Sequence, residues 1–177
     1  MQNSTDKIVF TQGGLTVRPV LECDLEKIAN SLSEINKKEV EYLGYDTVME
    51  AMEEMYRTSD SYLITNQDND MVCLSGLWYG GVDEPPQMYA MFSDKIKEHR
   101  IGLLKGSLKI ANLFMKGHDT ITMSILSENT FMLDWAAWLK FTAVGFSTYR
   151  GKQYVDFVRC DHNQSFVYND ASRPAIH

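Results

Sequence analysis

The stretch NTFMLDWAAWLKFTAVGF, residues 129–146, combines an apolar helical pattern with a candidate helix end. Apolar side chains recur at helical spacing over residues 131–144, which predicts a helix across those residues. Gly145 follows directly, and glycine often ends a helix because it adopts left-handed backbone conformations at little cost. The stretch therefore predicts the last helix of a domain, followed by a turn into a strand.

The faces of this helix follow from its spacing. Trp135 and Leu139 are four residues apart and share one face. Trp138 lies about 60° around the helix axis from Trp135, because each residue advances the helix by about 100°. We therefore expect Trp135 and Leu139 in the core and Trp138 at its margin.

Outward from this helix, strand and helix patterns alternate along the chain. Strands are predicted at residues 15–19, 61–65, 71–79, 86–93, 120–126, 145–149 and 152–159, and helices at 22–33, from Thr47 onward, at 94–119 and at 131–144. The order β-α-α-β-β-β-α-β-α-β-β predicts an α+β domain with a late βαβ crossover. Residues 1–14 are expected to form a polar lead-in, residues 15–159 the domain, and residues 160–177 a polar tail.

Composition fits one domain and limits its functions. The chain has 177 residues, is 44% hydrophobic and carries a net charge of −7, a balance that argues against a nucleic-acid partner. No apolar run approaches the roughly 20 residues of a membrane span, so no membrane partner is expected. Three widely spaced cysteines, Cys23, Cys73 and Cys160, fit free thiols in a reducing compartment.

The order of elements and several short motifs resemble the GNAT N-acetyltransferase superfamily. The motifs are LTVRPVLECDLEKIA at residues 15–29, NQDNDMVCLSGLWY at 66–79, and Asn129, Trp138-Leu139 and Gly145-Phe146 near the end. The resemblance implies a mixed, mostly antiparallel sheet with one late parallel βαβ unit and helices on both faces. It also implies that strands 86–93 and 120–126 run parallel and splay apart at their C-terminal ends to open a cofactor cleft.

Two further segments carry a narrower resemblance. MFSDKIKEH at residues 91–99 and WLKFTAVGF at 138–146 look like the acetyltransferase-like internal virion proteins of short-tailed bacteriophages. This resemblance implies a phage protein that acts in a virion or in its assembly.

The resemblance also implies where acetyl-CoA would bind. Members of the superfamily hold the pyrophosphate on backbone amides at a helix N-terminus, which offers unpaired N–H groups and partial positive charge. The implied cofactor-binding residues here are Arg100, Gly102, Gly106 and Asn129. The family's Gly-x-Gly spacing is altered in EHRIGLLKGS, residues 98–107, so helix packing or a kink is an alternative role for the two glycines.

Catalytic residues stay unassigned from the sequence. The family's proton donor is often a tyrosine four residues before the Gly of the Gly-Phe turn, and Phe141 occupies that position. Phenylalanine has no proton to donate. The nearby tyrosines, Tyr149 and Tyr154, do not match the motif and are interpreted as half-buried sheet residues.

The sequence also offers few candidates for a catalytic base that would deprotonate the amine. The loop acids Asp83 and Glu84 are expected at the surface, and His99 could touch a phosphate, move a proton or lie at the surface. His118, His162 and His177 form no metal-binding pattern, so no metal site is expected.

Two main functions remain open on this basis, and a small-molecule or peptide-binding module is a third. The first is a non-catalytic virion or virion-assembly component, which needs no cofactor, contacts other phage proteins or copies of itself, and is found in the host cytoplasm and then the virion. The alternative is an acetyl-CoA-dependent N-acetyltransferase that modifies a host protein or a small amine. The altered glycine spacing and Phe141 favour the first.

Overall fold

A computed structural model describes residues 8–160, and these residues form one sheet with helices on both faces. The strands are β1 (Phe10–Gln12), β2 (Leu15–Pro19), β3 (Ser59–Thr65), β4 (Met71–Trp78), β5 (Gln87–Phe92), β6 (Thr120–Leu126), β7 (Thr142–Tyr149) and β8 (Lys152–Cys160). The helices are α1 (Leu25–Ser31), α2 (Glu34–Leu43), α3 (Val48–Thr58), α4 (Ile96–Met115) and α5 (Thr130–Trp138). The predicted α+β class is confirmed.

The sheet order is β1-β2-β3-β4-β5-β6-β8-β7. Across the described part of the chain, neighbouring strands are antiparallel except for β5 and β6, which are parallel. These two strands share a single register pair, Gln87 with Thr122, at the beginning of β5. They therefore separate toward their C-terminal ends, and α4 connects them. The predicted parallel pair and its splay are both confirmed.

Apolar side chains fill both faces of the sheet. On one face, α4 and α5 pack against residues such as Leu77 of β4, and on the other face α1, α2 and α3 pack against residues such as Leu74. All of β4 except Trp78 is buried. This matches the apolar composition of both faces of β4, which predicts a central strand covered on both sides.

Three elements differ from the sequence prediction in the first third of the chain. A short edge strand, β1, lies in the predicted lead-in and pairs with β2. The predicted helix over residues 22–33 is a 3₁₀ turn at Glu22–Asp24 followed by the shorter α1. Helix α2 is not predicted, because half of its sequence EINKKEVEYL is charged and it buries only Asn36 and Val40. The tail predicted over residues 160–177 lies outside the described residues, except for Cys160.

The predicted end of the last helix, at residue 144, is also wrong. Helix α5 ends at Trp138, and Lys140 takes a left-handed conformation with φ of 67°. The chain then enters β7, so residues 142–144 are strand and Gly145 lies at an irregularity in the register between β7 and β8. The β-branched and aromatic content of TAVGFSTY favours a strand, although its first residues continue an apolar helical pattern.

Side-chain burial confirms the predicted faces of α5. Trp135 is 2% exposed and Leu139 is fully buried, whereas Trp138 is 41% exposed. The core-facing stripe of this helix is therefore the one that the spacing predicts.

The opening motif around Arg18 has a direct structural role. Both terminal nitrogens of Arg18 donate to the carboxylate of Asp24, at 2.6 and 2.7 Å, and the backbone N–H of Leu21 donates to the same group. This part-buried ion pair joins the end of β2 to the start of α1. It positions the helices that cover one face of the sheet.

Candidate functional site

The splay of β5 and β6 opens a cleft of about 490 Å³. Its walls come from α2, α3, the two splayed strands, and the final hairpin of β7 and β8. Clefts of this size at a point where strands diverge are common ligand sites. The cleft is therefore the candidate functional site.

The backbone of β5 offers hydrogen-bonding groups to this cleft. Thr122 of β6 donates its N–H to Pro86 O, and Phe92 donates its N–H to Asn36 rather than to β4. In an antiparallel pair, alternate residues direct their backbone groups to the same side. Ala90 therefore directs its N–H and C=O toward the gap, where β6 has diverged. An extended ligand that carries amide groups fits this open strand edge.

A carboxylate held by two buried amides lies on one wall of the cleft. Glu39, on α2, accepts a hydrogen bond from Asn36 Nδ2 at 2.7 Å and one from Asn129 Nδ2 at 3.0 Å. Asn36 is 1% exposed and Asn129 is 4% exposed. Burial raises the pKa of Glu39 above its ordinary value of 4.5, while the bonds from Asn129 and Asn36 oppose that rise. The site thus holds a fixed carboxylate of increased basicity.

Both amides are themselves fixed by the backbone. Asn36 Oδ1 accepts the N–H of Phe92, the last residue of β5. Asn129 Oδ1 accepts the N–H of Met132 and so caps α5. The position of Glu39 is therefore coupled to the end of β5 and to the start of α5. The sequence analysis did not identify Glu39. The available signal was the spacing of Asn36 and Val40, which places them on one buried face of a charged helix next to Glu39.

A tyrosine side chain lines the same cleft. Tyr154 is 8% exposed, and its hydroxyl has no hydrogen-bond partner among the described residues. Burial raises the pKa of Tyr154, and the nearby Glu39, Tyr149 and Tyr42 raise it further. The phenol is therefore held in its protonated form at neutral pH.

The other walls set the charge and polarity of the cleft. Among the described residues that line it, the charged side chains are Glu39 and Glu54. The remaining lining is largely apolar or aromatic, including Met55, Met88, Met91, Met123, Met132, Trp78, Tyr89 and Tyr149. This combination favours a ligand with a positive charge and an apolar body.

The predicted cofactor-binding residues fall into two places. Gly102 meets the turn between β1 and β2, because a Cβ on Gly102 would lie 3.1 Å from Gly13 O. Gly106 faces Phe10, and Arg100 is exposed on the same helix. Close packing thus accounts for Gly102, as the alternative interpretation proposed.

Asn129 lies elsewhere, at the N-terminus of α5. The structure brings it to Glu39, and none of the four residues lines the cleft. As binding residues for a cofactor, all four stay predictions.

The remaining sequence candidates lie outside the cleft lining. Asp83 and Glu84 are exposed in the loop before β5. His99 interrupts the start of α4 with φ of −122°, and its Nε2 is buried without a partner among residues 8–160. The described residues contain no group of three or more His, Cys, Asp or Glu side chains arranged to hold a metal ion.

The turn from which the position of a proton donor is counted lies earlier in the chain than the sequence predicts. The left-handed residue that ends α5 is Lys140, and the buried Phe141 follows it. The turn that follows α5 is therefore at Lys140 and Phe141, and Gly145 and Phe146 lie within β7. Four residues before Lys140 is Ala136, which is fully buried. The side chain at that position still has no proton to donate.

Comparison with known proteins identifies the fold. No protein-family model and no curated protein matches the chain. The solved structure of spermidine N-acetyltransferase from Vibrio cholerae in complex with CoA and spermine matches with a TM-score of 0.64 at 12% identity, over 83% of this chain and 95% of that chain. The fold is that of the GNAT N-acetyltransferases.

Two other solved structures agree. Ribosomal-protein-S5-alanine acetyltransferase from Vibrio fischeri matches with a TM-score of 0.64 at 10% identity, over 87% of this chain and 97% of that chain. A protein from Bordetella pertussis, described as a possible GNAT-family acetyltransferase, matches with a TM-score of 0.67 at 12% identity. The match covers 85% of this chain and 98% of that chain. Within the described residues, no helix has both the length and the apolar character needed to cross a bilayer.

Proposed function

We propose that this protein is an acetyl-CoA-dependent N-acetyltransferase whose acceptor is a cationic primary amine. The observation that carries the proposal is the carboxylate of Glu39, which Asn36 and Asn129 fix inside the cleft between β5 and β6. The cleft alone does not indicate an enzyme, because a GNAT-like sheet can retain its cleft without catalysing a reaction. Burial of this carboxylate is costly, and part-buried carboxylates with a raised pKa are frequent at functional sites.

The residues of the cleft suit the two substrates in different ways. Acetyl-CoA, when bound, supplies an acetyl group activated as a thioester. The open edge at Ala90 offers an N–H and a C=O to amide groups of an extended ligand. Glu39 attracts the ammonium form of the acceptor and accepts its proton, which leaves the nitrogen with a free electron pair. The raised pKa of Glu39 makes it a better base.

The structural neighbours support the same class of reaction. The Vibrio cholerae protein is a spermidine N-acetyltransferase bound to CoA and spermine, and the Vibrio fischeri protein acetylates an alanine of a ribosomal protein according to its name. They favour the alternative that the sequence left open over the non-catalytic virion component, for which the comparisons offer no support. They equally give no support to the expectation that no cofactor is needed.

Acetyl transfer to a panel of amines tests this proposal. We expect the purified protein to release CoA thiol from acetyl-CoA only when an amine is present, and mass spectrometry to detect the N-acetylated product. Amines that carry an apolar body should react faster than a neutral hydroxyl compound of the same shape, because the cleft is anionic and apolar. Failure to acetylate any amine in a panel that includes polyamines, aralkylamines and peptide N-termini would contradict the proposal.

A further inference from the structure

The outer edge of the sheet at β7 is open and uncharged. The strand order ends at β7, so within residues 8–160 no strand pairs with its outer side. Every residue of β7 except Gly145 is exposed, including Val144 at 52%, Phe146 at 71% and Tyr149 at 50%. Its sequence TAVGFSTY has no charged residue and no proline, which are common protections of an edge strand. The opposite edge, β1, has only three residues, so β7 is the edge that favours pairing with a further strand.

Two residues of β7 direct their backbone groups to this open edge. Just after β6, Ser127 donates its N–H to the carbonyl of Gln153, so Gln153 directs its backbone groups away from β7. Gln153 is the register partner of Thr148, so Thr148 directs its own groups away from β8. Alternate residues of an antiparallel strand point to the same side. Phe146 and Thr148 therefore each present an N–H and a C=O to the open edge.

The regular part of β7 is centred on Ser147. The register between β7 and β8 is interrupted between Ala143 and Gly145, and it is regular from Gly145 to Tyr149. A second β7 that runs antiparallel, with Ser147 opposite Ser147, pairs Phe146 with Thr148 twice. This register uses every backbone group that those two residues present. It is also symmetric about a two-fold axis, so two identical copies can form it.

Gly145 supports the same register. Its φ is not positive, and a Cβ at this position would meet no atom within 4 Å among the described residues. Neither the backbone conformation nor packing within the chain therefore requires glycine. In the pairing centred on Ser147, Gly145 lies opposite Tyr149 of the second copy. A glycine in a strand leaves room for an aromatic side chain of the neighbouring strand to cover it.

We propose that this protein forms a homodimer by antiparallel pairing of β7 with β7 of a second copy, with Ser147 on the two-fold axis. The inference does not depend on the proposed activity. It gives a specific surface to one of the partners expected from the sequence, a copy of the chain itself. Ser147 and Tyr149 also line the cleft, so the second copy adds its own Tyr149 to the face of β7 on which the cleft lies.

The size and charge of this surface set the strength of the dimer. The paired segment is about 17 Å long, and it buries less than the roughly 800 Å² per partner of a standard interface. Each copy has a net charge of −7, so the two copies repel each other at long range. Because β7 has no charged residue, no like charges on the paired strands face each other. We therefore expect a Kd in the micromolar range and stronger association when salt is added.

Sedimentation velocity over a range of protein concentrations tests the inference. We expect the wild-type mass to rise from monomer toward dimer between low micromolar and several hundred micromolar protein. Phe146→Lys places an ammonium group from each copy beside the axis, and it should weaken association by roughly tenfold or more. A wild-type protein that stays monomeric, or a Phe146→Lys variant that associates as the wild type does, would overturn the inference.

Val82→Lys is the matched control for that variant. Val82 is fully exposed in the loop before β5, so the change adds the same charge at a position outside β7. Val82→Lys should associate as the wild type does. Both variants should also unfold at the same temperature as each other in dilute solution, because both positions are exposed.

Disulfide cross-linking tests the register. The background carries Cys23→Ser and Cys160→Ser, since those thiols are not buried. Ser147→Cys should cross-link two copies on oxidation, because opposite residues of a non-hydrogen-bonded pair have Cα atoms about 4.5 Å apart. Thr148→Cys should not cross-link, because its two copies lie more than about 7 Å apart. Equal cross-linking of both variants, or of neither, would contradict the proposed pairing.

Hydrogen exchange of single amides, followed by NMR, identifies what covers the edge. Protection of the Phe146 and Thr148 amides should increase with protein concentration, because the second copy supplies their hydrogen-bond partners. Protection that is independent of concentration in a monomeric protein would show that another segment of the same chain covers β7. That result would overturn the inference and leave the proposed activity unaffected.

Discussion

Replacing Glu39 with glutamine is expected to lower kcat for acetyl transfer by roughly 10²–10⁴-fold, the usual contribution of a general base. Glutamine keeps the size of the side chain, but it cannot accept a proton from the amine. Its neutral amide also no longer attracts the ammonium group, so KM for the amine should rise. Steady-state kinetics with acetyl-CoA and the best amine measure both effects.

The pH dependence gives this variant a distinct signature. Because burial raises the pKa of Glu39 above 4.5, the wild-type activity should fall as the pH drops through that raised pKa. Glu39→Gln should lose this acidic limb. Glu41→Gln, a change at an exposed position of the same helix, serves as the control and should keep both rate and profile. A Glu39→Gln enzyme with wild-type kcat would remove Glu39 from the mechanism.

Replacing Trp135 with alanine is expected to destabilise the protein by about 3–5 kcal/mol, the usual cost of truncating a large buried aromatic side chain. Trp135 is 2% exposed and packs edge-on against Phe92 of β5, with ring centroids 5.6 Å apart. The change leaves a cavity between α5 and the sheet. Chemical denaturation measures the free energy of unfolding.

Trp138→Ala is the matched control on the same helix. Trp138 is 41% exposed, so its loss should cost less than about 1 kcal/mol. Similar costs for the two variants would show that the helix does not bury Trp135 as described. Since Phe92 also donates its backbone N–H to Asn36, Trp135→Ala should weaken catalysis too.

Regular patterns in the sequence account for the parts of the fold that could be predicted. The apolar composition of β4 and the helical spacing of Trp135 and Leu139 are local signals, and burial confirms both. Helix α2 escaped prediction because its charged surface hides a narrow buried face. Residues 142–144 were misassigned because an apolar helical pattern continues into β7, where pairing with β8 determines the conformation.

The candidate site could not be predicted from local patterns, because it is assembled from distant parts of the chain. Glu39 and Asn129 are 90 residues apart in sequence, yet they share a hydrogen bond. Neither residue carries a motif that marks the partnership. Tyr154 is an ordinary aromatic residue of a strand until the fold brings its side chain to the cleft that Glu39 also lines.

Thermal unfolding of the purified protein with and without acetyl-CoA tests whether the cleft between β5 and β6 binds this cofactor. A ligand at about 100 times its Kd stabilises the folded state by roughly 2.7 kcal/mol, and each kcal/mol raises Tm by roughly 2–4 °C in a domain of this length. The predicted result is therefore a rise in Tm of roughly 5–11 °C. A change below about 1 °C at millimolar acetyl-CoA would show that the cleft does not bind acetyl-CoA.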